Sequence, residues 1–246
     1  IAGCFEALRT AARHTGSRLL GPTLVVGLCL ISTAPAEAGL DEAVADFLAS
    51  QEAAFRNILP LAQAGDSFAQ FTIGEMYDYG RGVPENDAEA VRWYRRAAEQ
   101  GNANAQANLG NMYNFGKGVL ENDAEAVRWY RCAAEQGNIA AQTNLGNMYN
   151  SGKGVPEHDA EALSWYRRAA KQGSVAAQFN LGLMYARGEG VLQDPIQALV
   201  WFNLAAANSP PGPFRDEAVE LRDLVEMILK REEIARAQAF ARDWAP

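Results

Sequence analysis

Residues able to do covalent or metal chemistry are scarce in this 246-residue chain. It holds two histidines and three cysteines, and past residue 38 only His158 and Cys132 remain. A zinc centre needs three or four nitrogen or sulfur ligands, and the sequence contains neither His-Glu-x-x-His nor paired Cys-x-x-Cys. Cys132 with His158 would make a nucleophile and its base. The two stand 26 residues apart, however, and His158 falls in line with Asn86, Asn122 and Asp194 at a repeated helix-capping position. The Gly-x-Gly stretches, such as Gly116-Lys117-Gly118, follow helical patterns instead of strands and lack the third glycine of a phosphate cradle. The expectation is no catalytic residue, no metal and no cofactor.

Asparagine is the chemistry that the chain repeats. Asn104, Asn108 and Asn111 stand at i, i+4 and i+7, on one helix face rotated by about 100° from the apolar stripe. Down the chain the columns continue as Asn108, Asn144 and Asn180, as Asn111 and Asn147, and as Asn114 and Asn150. An amide both donates and accepts, so ladders of amides suit the backbone of an extended peptide. Tyr79, Phe115 and Ser151 share one varying column at the loop edge, with Phe115 as its apolar anchor. The expected protein- or peptide-binding residues are therefore Asn104, Asn108, Asn111, Phe115, Asn144, Asn147 and Asn180. The plainer alternative is that the asparagines satisfy neighbouring loops.

The elements that must hold these columns follow from a period of 36 residues. Gly74, Gly110, Gly146 and Gly182 keep that step, as do Trp93, Trp129, Trp165 and Trp201, each followed by Tyr94, Tyr130, Tyr166 or Phe202. Such a period signals stacked units, none able to bury its apolar face alone. In the second unit Ala105, Leu109, Met112 and Tyr113 form a helical stripe. Gly116-Lys117-Gly118-Val119 then breaks the pattern, and Asn122-Asp123-Ala124-Glu125 opens a second helix with a cap and a box-like pairing. Ala126, Tyr130 and Ala133 give that helix its inner stripe, and Gly137 closes it. Regular recurrence of the Trp-aromatic pairs favours packing between units over sugar stacking.

The text Ala-x-x-x-Leu-Gly-x-x-Tyr, Gly-x-Gly-Val, an acidic cap, Ala-x-x-Trp-Tyr and Ala-Ala-x-x-Gly runs from Ala105 to Gly137 and again from Ala141 to Gly173. It resembles the Sel1-like repeat, a relative of the tetratricopeptide repeat. The resemblance implies an all-α fold, a right-handed α-solenoid superhelix of antiparallel helix pairs that binds proteins and is not an enzyme. A cysteine-rich branch of that family is linked to β-lactam binding or hydrolysis. This chain lacks its paired cysteines, as well as Ser-x-x-Lys and Lys-Thr-Gly.

Four repeats are expected at about 67–102, 103–138, 139–174 and 175–208. Before them, residues 39–66 read as a degenerate first repeat of two short helices, one with Ala43, Phe47 and Leu48, one with Phe55, Leu59 and Ala62. After them come a Pro-rich linker and a cap of one long or two shorter helices over 209–246, with Leu221, Leu224, Val225 and Ile228 on a stripe. Residues 1–38 read as a secretory signal peptide, from Arg9, Arg13 and Arg18, the apolar run Leu19 to Ile31, and Ala36-Glu37-Ala38. That run is shorter than the roughly 20 residues of a membrane-spanning helix, so no stable anchor is expected.

Removing the three Arg and two Glu of residues 1–38 leaves 19 basic and 28 acidic side chains, a net of −9. Nucleic acid and anionic membrane both need a basic footprint, so neither is an expected partner. Cys132, expected to be exposed, could cross-link to another chain in an oxidising compartment. The sequence thus points to a periplasmic or secreted adaptor that binds a protein or extended peptide. Its rivals are an envelope hydrolase or β-lactam-binding enzyme and a structural part of an envelope assembly.

Overall fold

Alanines and aromatics recurring on one side of every helix oblige the helices to pack in pairs. The computed structural model describes residues 38–244, among which there are eleven helices and no strand. A leading helix α1 (Ala38–Gln63) is followed by four A/B pairs: α2 (Ser67–Asp78) with α3 (Asp87–Glu99), α4 (Ala103–Phe115) with α5 (Asp123–Glu135), α6 (Ile139–Ser151) with α7 (Asp159–Lys171), and α8 (Val175–Arg187) with α9 (Pro195–Asn208). Helices α10 (Pro213–Glu226) and α11 (Arg231–Asp243) close the chain, both packed on α9. Each helix otherwise packs on the next in sequence, the arrangement of an α-solenoid. The expected signal peptide lies outside the described residues, except for Ala38.

Caps and turns set the boundaries. Asn86, Asn122, His158 and Asp194 cap the B helices, each accepting the N–H three residues on. The box-like pairing expected at Asn122 does not close. The Asn122 N–H donates to Tyr113 O at 2.9 Å, which leaves the Glu125 carboxylate to Arg128. The second glycine of each Gly-x-Gly turn has a further task. A Cβ on Gly118 would lie 2.3 Å from the backbone of Asp87, at the start of α3 in the preceding unit. Only glycine fits there, so the turn is also a junction between units.

Within each pair the A helix presents a glycine to the aromatic ring of the B helix. A Cβ on Gly110 or Gly146 would stand 2.6 Å from the ring of Tyr130 or Tyr166. The tryptophans bridge units: Trp129 is buried with Ala90, Tyr94 and Leu109, and Trp165 with Ala126, Tyr130 and Leu145. Buried glutamines join the same neighbours. Gln106 Nε2 donates to Ala98 O at 3.0 Å and Gln106 Oε1 accepts from Gln136 Nε2 at 2.7 Å. Gln70, Gln142 and Gln178 repeat the latch with Ala62, Ala134 and Ala170. A buried amide with both ends satisfied costs little, and one left unpaired costs about 1–3 kcal/mol, so the latch fixes stacking register.

The ends differ from expectation in two places. Residues 38–63 form one helix instead of two, because Ala49 to Ala54 contain no helix breaker. Its second half packs through Phe55, Ile58 and Leu59, while Phe47 and Leu48 are exposed. In the cap, Leu221 and Val225 face the core but Leu224 and Ile228 do not. The cap has two helices, and the turn between them carries Ile228 away from α9. Trp244 finishes the stack by meeting Trp201 edge to face at 5.2 Å. In an exposed helix Gly→Ala is stabilising by about 1 kcal/mol, whereas Gly146→Ala forces a methyl into the Tyr166 ring and is expected to cost about 1–3 kcal/mol. Thermal melting checks the sign; a rise in Tm would contradict the packing described.

Candidate functional site

Close approach of the Tyr rings to helix A brings their hydroxyls to the asparagine columns. Asn111 Oδ1 accepts from Tyr130 Oη at 2.7 Å and from Asn144 Nδ2 at 3.1 Å. One unit on, Asn147 Oδ1 accepts from Tyr166 Oη at 2.7 Å and from Asn180 Nδ2 at 3.1 Å. The ladder therefore runs directly from A helix to A helix. α4 also touches α6, and the asparagine bonds join α4 to α6 and α6 to α8.

The first unit departs from the pattern because Thr72 and Glu75 replace asparagines. Tyr94 Oη donates to Asp78 Oδ2 at 3.1 Å, with the Asn108 amide near the same hydroxyl. Lys117 bridges from the second unit to Asp78 at 3.3 Å and Asp87 at 3.7 Å. Burial holds the Glu75 carboxyl above the ordinary carboxylate range, with Arg81 opposing. Desolvation likewise drives the phenols of Tyr94, Tyr130 and Tyr166 far above their usual range, with the neighbouring asparagine amides pulling the other way.

Three of the expected residues meet at one recess. Asn144, Asn147 and Phe115, with Asn114, Tyr130 and Met148, line a hollow of about 140 Å3. Phe115 is 69% exposed at its rim. Asn111 does not line the recess but bonds two residues that do, Tyr130 and Asn144, while Asn108 and Asn180 sit one unit to either side of Asn144. Asn104 does not join them: its Oδ1 accepts from Asn138 Nδ2, the cap of α6, at 2.9 Å. Asn104 thus serves a neighbouring loop, whereas Asn111 and Asn147 satisfy the fold with one end of the amide and present the other outward. Tyr130, Met148 and Asn114 were not among the expected site residues. Their columns recur visibly at 36, but nothing local in the sequence tells that Tyr130 reaches back 19 residues.

Asn114 Oδ1 and Asp123 Oδ1 are buried without a partner. In the next unit Asn150 Nδ2 donates to Asp159 Oδ1 at 3.4 Å, and turning the Asn114 amide over makes the equivalent bond to Asp123.

Cys132 and His158 have separate structural places. Cys132 is half-buried instead of exposed, because its short side chain lies close to the helix, where Arg96 and Arg168 reach out over Trp93 and Trp165. Trp129 takes Arg128 instead, at 4.1 Å. His158 Nδ1 accepts the Glu161 N–H at 3.2 Å. Among the described residues no group of three His, Cys, Asp or Glu side chains could hold a metal ion, and no helix is long and apolar enough to cross a membrane.

An imidazole offers one ring nitrogen to the α7 cap, where an asparagine offers an amide oxygen of the kind that caps α3 and α5. His158→Asn is expected to raise stability by about 0.5–1 kcal/mol, read by urea denaturation. The raised phenols give an alkaline signature. Their stabilisation is whole below the ordinary phenol range, near pH 10, and falls as pH climbs toward the raised values, because the unfolded chain ionises first. Ultraviolet titration is expected to show Tyr94, Tyr130 and Tyr166 ionising only together with unfolding; gradual ionisation of these three in a folded chain would refute their burial.

A profile of the Sel1 repeat matches four consecutive segments, 67–102, 103–138, 139–174 and 175–210. Among solved structures, the chain is similar to a protective antigen present in uropathogenic Escherichia coli strains and displaying an SLR fold, at 38% identity and a TM-score of 0.70 over 77% of this chain and 40% of that one. It thus spans about two fifths of the length of that relative. It is also similar to a Sel1 repeat protein from Oxalobacter formigenes, at 32% identity and a TM-score of 0.65, covering 79% of each chain. No curated protein matches it. Four matched repeats over residues 67–210, with a relative 32% identical over 79% of each chain, place this chain in the Sel1 repeat family.

Proposed function

We propose that this protein is a non-enzymatic adaptor or regulator that works in the periplasm or outside the cell and binds a segment of another protein along its A face. The observation that carries the reading is the recess itself, where an exposed aromatic ring, Phe115, stands beside amides held only at one end. An aromatic anchor ringed by polar groups is the usual form of a binding hot spot. Sel1 repeats generally mediate protein–protein contact, which supports the same class of function. The thiol and imidazole that a hydrolase would need are instead a half-buried side chain on α5 and the cap of α7. Removal of residues 1–38 as a signal peptide completes the proposal and accounts for the export it requires.

Phe115 makes no contact that the fold requires, so Phe115→Ala is expected to leave Tm unchanged. Immobilised parent and variant chains, exposed to an envelope extract of the source organism, test the reading. A partner held by the parent and weakened at least about tenfold by Phe115→Ala is expected. A partner held equally by both would move the function to the B face or the ends.

A further inference from the structure

We infer that the chain forms a two-fold dimer through α1, in which residues 38–50 of one copy supply the A helix that is missing beside residues 51–63 of the other.

Helix α1 has the length of a repeat unit that was never folded in half. It spans 26 residues, and the A and B helices of the second and third units have 13 each. Its second half stands in line with a B helix: 36 residues before Ala90, Tyr94, Ala97 and Ala98 are Ala54, Ile58, Leu61 and Ala62. The junction to the next unit is kept as well. A Cβ on Gly82 would lie 2.2 Å from Gln51 O, as one on Gly118 would lie 2.3 Å from Asp87 O. The first half lacks only the turn that would fold it back. The column of Gly80 and Gly82 falls on Val44 and Asp46, which do not favour the positive φ of that turn, and the helix runs straight on. Residues 38–50 therefore cannot lie against residues 51–63 of their own chain.

Two apolar surfaces are left uncovered as a result. Ala97, Ala133, Ala169 and Ala205 are 0% exposed in their helix pairs, whereas Leu61 in the same column is 58% exposed. In the first half Phe47 and Leu48 are 40% and 50% exposed, although a helix this short holds mainly through packing of its apolar face. A second copy covers both surfaces at once. Two α1 helices laid antiparallel, with the two-fold axis at Ser50 and Gln51, bring Phe47 of each copy against Ala54 of the other and Val44 beside Ile58. Antiparallel is also the direction that an A helix takes against its B helix. Ile58 suits the exchange, because the ring of Tyr94 in that column needs Gly74 opposite it, and an aliphatic side chain does not need a glycine on the docking helix. Exchange of an identical element between copies is a low-cost route to a dimer, and a two-fold contact is made twice. The other end of the stack is already closed by Trp244 on Trp201.

Sedimentation equilibrium of the purified chain is expected to give twice the chain mass at about 100 µM. Phe47→Lys changes an exposed side chain and leaves the stack folded by circular dichroism, and it is expected to weaken the dimer at least tenfold. Ser50→Cys reads the position of the axis. With Cys4, Cys29 and Cys132 replaced by Ser, oxidation is expected to link Ser50→Cys chains in pairs, because the axis brings that position onto its own copy, and to leave a Leu120→Cys control, 89% exposed in the parent, unlinked. A single-chain mass at that concentration, a dimer indifferent to Phe47→Lys, or Ser50→Cys chains that cross-link no faster than the control would overturn the exchange. In the first case the A position beside Leu61 belongs to residues 1–37 of the same chain or to solvent. Each of these results spares the groove reading, which Phe115→Ala tests by itself.

Discussion

Everything in this solenoid depends on how closely a B-helix aromatic lies against an A-helix glycine. With no Cβ at Gly110 or Gly146, the tyrosine ring rests on the A-helix backbone itself. That contact sets the distance between the two helices of a unit, and alanines together with Leu109, Met112 and Val127 fill the space around it. It also has a polar consequence. A ring so near the A helix carries its hydroxyl through to the far side, where it meets Asn111 or Asn147. The core and the candidate binding face are thus two ends of the same side chain.

Between units the connections are of three kinds, and they divide the labour. Tryptophan supplies buried area, the glutamine latch fixes register, and the second glycine of each turn permits backbone to touch backbone. Apolar burial is not directional, so tryptophan alone would allow one unit to slip on the next. The glutamines forbid that, because a slip leaves a buried amide unpaired. Where the repeat ends, these devices are replaced. Phe202 stands for tyrosine against Gly182, Asn208 takes the place of the glutamine donor, and Trp244 stacks where another unit would begin.

The helix pairs were legible in the sequence because each is encoded locally, by an apolar stripe, an Asx cap and a glycine turn repeated at 36. What lacked a local signature was harder to read. Residues 38–63 contain two apolar patches, and only the absence of a breaker at Ala49 to Ala54 distinguishes one helix from two. Leu224 and Ile228 lie on a helical stripe in sequence, but α10 ends at Glu226, which puts Ile228 in a turn, and Leu224 sits on the exposed side of the helix. At the candidate site the asparagine columns were visible, and three of their contact distances in sequence, 19, 33 and 34 residues, were not. This is why Asn104 was grouped with Asn108 and Asn111, although it clamps the cap of α6. Amides look alike in a sequence; only their partners separate a clamp from a rung.

The central claim is that tyrosine hydroxyls hold the ladder amides in one orientation, with the protons of Asn111 and Asn147 outward. Side-chain amide exchange measured by solution NMR addresses it most directly. The account predicts slow exchange for the Nδ2 protons of Asn144 and Asn180, which are engaged in the ladder, and fast exchange for those of Asn111 and Asn147. It also predicts that Tyr166→Phe speeds exchange at Asn180 while leaving Asn144 as it was. Protected protons on Asn147, or an Asn180 amide indifferent to the loss of the Tyr166 hydroxyl, would contradict it.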